Sequence, residues 1–214
     1  MLELLIVAAS FVILYRQLSV LEAGTADTLA AKTPSPRITQ MAEYADRLYS
    51  ERKWLAAEKA YLAVLKLDHK YTTAYTHLGI IYSTQKNMAD AIECFQIAAR
   101  LRPSGTAFQN LGLAFFDNKN YIKSVAAYEK ANMFEQSAAR YIGLSRAQQK
   151  LSNAPGQITA LEKAKELEPS KRVLQLLADA YTEAGRKDAA EAIKDQIRQA
   201  AAGPAEAKSD PVHS

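Results

Sequence analysis

His69, His77, His213 and Cys94 are the side chains around which catalysis or metal binding would have to be built. None of the histidines has a serine, cysteine or carboxylate at a spacing that suggests an activated pair. Cys94 is the single cysteine, which excludes an intrachain disulfide framework, and no Cys-x-x-Cys or His/Cys cluster has metal-ligand spacing. It reads as a small helix residue. The glycines fall in turns, in a column of small residues or in linkers, so there is no phosphate-cradling loop. The net charge of +4 arises from 27 basic and 23 acidic residues spread along the chain. That distribution gives no electrostatic footprint for nucleic acid. The expectation is a chain that is not an enzyme and has no metal, no cofactor and no nucleic-acid partner.

The elements that position these residues repeat every 33 to 34 residues from about Ile38 to about Gln199. Ala45, Gly79, Gly112, Ser145 and Ala178 form a column of small residues, preceded by Tyr44, Leu78, Leu111, Leu144 and Leu177. Three residues further come Leu48, Tyr82, Phe115, Gln148 and Tyr181, so these positions share one helical face with a notch in it. A second helix follows, with Ala57, Ala91, Ser124, Gln157 and Ala190 as its small column and Tyr61, Phe95, Tyr128, Leu161 and Lys194 four residues on. Polar turns such as Gln85-Lys86-Asn87 separate the two, and Pro103 and Pro169 stand where a helix should stop. In the fourth unit Asn153-Ala154-Pro155-Gly156 is read as the turn, and Gln148 and Gln157 replace an aromatic and a small residue.

A period of this length implies stacked helical hairpins that share one continuous core, an all-α solenoid. The units are 38–71, 72–104, 105–137, 138–170 and 171–199. They follow an apolar helix at 1–21 and a flexible linker at 22–37, and precede a disordered tail at 200–214 rich in Ala, Gly, Pro and charge. The last unit looks like an end cap, because Lys194 occupies the aromatic column among Lys187, Asp188, Glu191, Asp195 and Arg198.

The run Tyr75-Thr-His-Leu-Gly-Ile-Ile-Tyr82, followed by Ala91, Phe95, Ala98 and Pro103, resembles the consensus of the tetratricopeptide repeat family. The resemblance implies a superhelix whose first helices line a concave groove that binds a peptide or partner protein. Carried onto this chain, it points to Tyr49, Thr76, Ile80, Gln109, Leu113, Phe116, Ile142, Arg146 and Gln149 as groove residues. Ile80, Leu113, Phe116 and Ile142 make the middle of that face apolar, and Arg146 is suited to an acidic group on a ligand. The Lys and Asn that hold a terminal carboxylate in co-chaperone members of the family are missing: the matching positions are Ala42 and Asp46, Thr76 and Ile80, Gln109 and Leu113.

Leu2 to Tyr15 is apolar except for Glu3 and Ser10, and Leu18 to Leu21 extends the run to about 20 residues, enough to span a bilayer. A membrane anchor fits it best, with Arg16 snorkelling to the interface. A cleaved signal peptide lacks its basic start, and a helix packed on the first hairpin would need a polar stripe. With Arg16, Lys32 and Arg37 on its carboxyl side, the anchor would leave the repeats cytoplasmic. The functions in contention are a membrane-tethered adaptor, a self-associating scaffold or homo-oligomer at the membrane, and a periplasmic or secreted assembly factor for pilus or envelope.

Overall fold

The computed structural model describes residues 35–202, which form ten α-helices in five consecutive hairpins and no strand. The first hairpin is α1 (Pro36–Ser50) and α2 (Trp54–Leu67), and the second is α3 (Thr72–Thr84) and α4 (Met88–Leu101). The third is α5 (Gly105–Asp117) and α6 (Tyr121–Phe134), and the fourth is α7 (Ala138–Lys150) and α8 (Ala154–Leu167). The last is α9 (Lys171–Glu183) and α10 (Lys187–Ala202). Each helix packs on its neighbours in sequence, and α5 also touches α7.

Side-chain caps fix several of the helix starts. Ser104 and Ser137 accept from the amides of Ala107 and Arg140 at 3.1 and 3.2 Å, and Asn120 and Asn153 accept from those of Lys123 and Gly156 at 3.2 Å each. Each bond satisfies a donor that the first helical turn leaves open. The chain differs here from the reading of the fourth unit. Its turn is Leu151-Ser152-Asn153, and Pro155 and Gly156 already lie in α8, where proline at the start of a helix loses no hydrogen bond. Similarly, Pro36 and Arg37 belong to α1 and not to the linker, because Ser35 caps that helix. α10 runs on through residues 200–202, which the sequence reading gives to the tail.

The first helix of every hairpin ends the same way. Arg52, Lys86, Lys119, Ser152 and Gly185 all have positive φ, between 55° and 72°. The amide after each reaches back five residues: Asn87 to the Tyr82 carbonyl at 2.9 Å, Asn120 to that of Phe115 at 2.8 Å, Arg186 to that of Tyr181 at 2.8 Å. This is the Schellman closure, which usually recruits glycine. Only the fifth hairpin has one. Lys119→Gly is therefore expected to stabilise the chain by about 0.5–1 kcal/mol, the left-handed strain of a side chain less glycine's entropy. A higher urea midpoint at unchanged m-value would show it.

The small column is buried in all five hairpins, at Ala45, Gly79, Gly112, Ser145 and Ala178. Aromatic rings from the second helices fill the notch. A Cβ on Gly79 would come within 2.6 Å of Phe95, and one on Gly112 within 3.0 Å of Tyr128. Where a second helix has serine in its small column, Ser124 donates to the Gly112 carbonyl at 2.7 Å and stays satisfied in the core. In the fourth unit the two glutamines are also accommodated: Gln157 is buried, and Gln148 accepts from Asn153 at 2.8 Å. Lys194 is half-buried and pairs with Glu191 at 2.8 Å on the outer side of the last hairpin.

No helix among the described residues is long and apolar enough to cross a membrane. The apolar segment 2–21, residues 22–34 of the linker and residues 203–214 of the tail lie outside the described residues.

Candidate functional site

Between the second and third hairpins a cleft of about 300 Å³ opens on the face of the first helices. Ile80 of α3 and Leu113 of α5 wall it, over the buried Phe95 and Ala114. Leu113 is 46% exposed and leaves an apolar wall open to a ligand. Ser83, Thr84 and Asn110 supply hydrogen-bonding groups, and Lys86 and Asp117 one charge of each sign. Lys86, Asn110 and Asp117 were not among the groove positions read from the sequence. They lie off the four-and-three stripe, on a face wider than that spacing marks.

One hairpin along, Phe116 is half-buried with its ring edge-on to Tyr121 at 5.4 Å. The exposed Arg146 of α7 places its guanidinium carbon 4.8 Å from the Phe116 ring centre. Guanidinium over an aromatic face is attractive.

The other sequence-derived positions are engaged within the protein. Thr76 donates to the Thr72 carbonyl of its own helix at 3.3 Å. Gln109 accepts at 3.0 Å from Nε of the buried Arg140, whose guanidinium also contacts the Glu135 carboxylate at 3.2 Å and the Glu135 carbonyl. A Cβ on Gly105 would lie 3.0 Å from that guanidinium, so the bare helix start makes room for it. Ile142 packs against the core of Ala138, Ala164 and Val173, and Gln149 donates to the Glu183 carboxylate at 3.0 Å. On this face Leu113 and Arg146 are exposed, Phe116 is half-buried, and Ile80 is half-buried against the core that contains Phe95 and Leu111.

Tyr49 belongs to a separate cluster between the first two hairpins. It stacks on His77 with ring centres 4.4 Å apart. The Tyr61 hydroxyl lies 2.6 Å from Asp46 Oδ1 and 2.5 Å from His77 Nδ1, and His77 Nδ1 is 3.3 Å from the same carboxylate oxygen. Tyr61 has one proton and the carboxylate none, so Tyr61 donates to Asp46 and Nδ1 of His77 carries the hydrogen donated to Tyr61. The sequence reading treated His77 as unpartnered, because its partners come from two other helices. The cluster locks the two hairpins together and has no open nucleophile.

Burial holds the His77 pKa below its ordinary value, and Asp46 offsets this only in part. A histidine that resists protonation when folded binds more protons when unfolded, so stability rises with pH through this range and falls as pH drops below about 6.5. Melting temperatures between pH 7.5 and 5.5 should show that decline, and His77→Gln should flatten it. An identical slope in the variant would place the titrating group elsewhere. Elsewhere in the array, burial together with Glu93 and Asp90 pushes the half-buried Cys94 thiol up to about 11, which makes it a poor nucleophile at neutral pH.

A model of the tetratricopeptide repeat family matches residues 44–106 and 89–138. The crystal structure of MamA is 25% identical over 72% of this chain and 92% of its own, with a TM-score of 0.68. MamA from Desulfovibrio magneticus RS-1 is 15% identical over 80% and 99%, at 0.70. YrrB, described as a TPR protein with an unusual peptide-binding site, is 17% identical over 73% and 82%, at 0.65. Comparison with curated proteins gives no match. The family model thus covers residues 44–138, the first three hairpins up to the start of α7, and the solved repeat structures share the fold of the array.

Proposed function

We propose that this tetratricopeptide array is a non-catalytic adaptor that holds a peptide segment of another protein against its first helices. The supporting observation is the open apolar wall of Leu113 and Ile80 over the cleft of about 300 Å³, continued by Phe116. Apolar anchors in a pocket are where most binding energy concentrates. The likeness to YrrB, whose description includes a peptide-binding site, points the same way. In this reading residues 2–21 tether the chain to a membrane and the basic residues after them keep the repeats cytoplasmic. Cross-linking in cells, followed by capture of wild type and of the triple variant Ile80→Lys, Leu113→Lys, Phe116→Ala, tests the groove. Partners should be lost from the variant while its helical content and melting temperature are kept. An unchanged partner set would move the site off this face.

A second reading, self-association through the open end of the array, is favoured by Tyr44. It is 55% exposed, whereas its column mates Leu78 and Leu177 are at 1% and 0%, and among the described residues no hairpin precedes α1. Light scattering of the full chain in detergent across a concentration series separates the two, since a strict monomer argues against the scaffold.

A further inference from the structure

The cleft and its surroundings carry chemistry that narrows the ligand, on the premise that the groove reading is right. Arg146 is exposed on α7, and among the described residues no carboxylate lies within 4.0 Å of any Arg146 nitrogen. Its guanidinium rests on Phe116, so a flat donor group stands beside the apolar wall without a partner of its own. Lys86 and Asp117 balance each other in the lining of the cleft, and Arg146 adds a cation beside it. Charge complementarity therefore favours an acidic ligand group at the Arg146 end.

Position gives the spacing. Leu113 and Arg146 occupy the same column of consecutive hairpins, 33 residues apart, on helices α5 and α7 that touch directly. Packed helix axes lie about 8–10 Å apart. An extended peptide advances about 3.3 Å per residue. Alternate side chains of an extended chain face the same way, so a side chain seated at Leu113 and one reaching Arg146 are two or four residues apart along such a ligand.

We propose that the groove selects an extended peptide carrying an apolar residue and, two or four positions away on the same face, an Asp or Glu. The apolar side chain enters the cleft between Ile80 and Leu113, and the carboxylate pairs with Arg146, two N–H donors to two oxygens. The cleft itself carries one charge of each sign, Lys86 and Asp117, so it adds no preference for acid and acidity alone does not suffice.

The test uses the full chain in detergent and fluorescein-labelled nine-residue peptides that hold Leu at the central position and carry Glu, Gln or Lys two or four positions to either side. Wild type should favour Glu over Lys by about tenfold or more in Kd, the scale of a charge-assisted bidentate contact. Arg146→Gln should erase that preference and Arg146→Glu invert it towards Lys, while Leu113→Lys weakens every peptide. If Leu113→Lys weakens binding but both Arg146 variants keep the wild-type preference, the acidic specificity is overturned and the groove reading stands. If wild type binds none of the peptides, or Leu113→Lys binds as well as wild type, the groove reading falls and this inference with it. Circular dichroism of each variant confirms that the comparison is between folded chains.

Discussion

Tyr128→Ala is expected to cost about 3–5 kcal/mol, the range for deleting a buried aromatic ring, and to divide one unfolding transition into two. The ring is buried and reaches two glycines on different helices: a Cβ at Gly112 of α5 would lie 3.0 Å from Cδ2, and one at Gly143 of α7 would lie 2.5 Å from Cε1. It joins Leu144 and Ala160 in the core of the fourth hairpin. One side chain therefore bridges the third hairpin to the fourth. Solenoid stability is close to a sum of single repeats and nearest-neighbour interfaces, so the loss falls on one junction and uncouples the hairpins on either side. Urea unfolding followed by circular dichroism, with hydrogen exchange to locate the weakened segment, should show two steps. Tyr128→Phe keeps the ring and should remain within about 1 kcal/mol of wild type. A single transition displaced by less than that in the alanine variant would mean that the ring does not couple the two hairpins.

The hairpins were legible in the sequence because each must bury the same columns against its neighbours. Ala45, Ala57, Ala91 and Ala178 are small for one shared reason, and that reason recurs every 33 or 34 residues. Positions that interact outside the period were not legible. Arg140 buries its guanidinium against Gly105 and Gln109, a contact made once in the array, and it takes Gln109 away from any ligand. The pairing of His77 with Tyr61 and Asp46 likewise depends on three helices converging. The start of α8 was misplaced because Pro-Gly usually marks a turn, whereas here the Asn153 side chain folds over Gly156, where a Cβ would meet it at 2.6 Å.

The face of the first helices shows the same division. Counting fours and threes along a helix finds the side turned away from the packing columns, which is how Ile80, Leu113 and Phe116 come out together. Periodicity says nothing about whether an adjacent hairpin covers part of that side. Ile142 continues the stripe, yet it packs on Ala164 of α8 and Val173 of α9. The candidate surface is accordingly shorter than the stripe and centred on the second to fourth hairpins.

Gly79→Leu should be the most damaging change in the small column, at about 3 kcal/mol or somewhat more. Alanine is a better helix former than glycine by about 1 kcal/mol, so a glycine inside α3 needs a reason. A Cβ there would lie 2.6 Å from Phe95 Cε1 and 2.8 Å from Cδ1 and Cζ, and Phe95 is itself buried in one core with Phe108, Leu111 and Phe115. At Gly112 the nearest approach is 3.0 Å, so Gly112→Ala should cost less than Gly79→Ala. A double-mutant cycle isolates the cause: removing the ring with Phe95→Ala opens the space the leucine needs, and the double variant should lose at least about 1 kcal/mol less than the sum of the single losses. Additive losses would refute the steric account. The same ring lies beneath the cleft walled by Ile80 and Leu113, so displacing it reshapes the candidate ligand site as well. Gly79→Leu should therefore weaken peptide binding in chains that remain folded, and the double variant should regain stability without regaining affinity, because the surface beneath the ligand is gone.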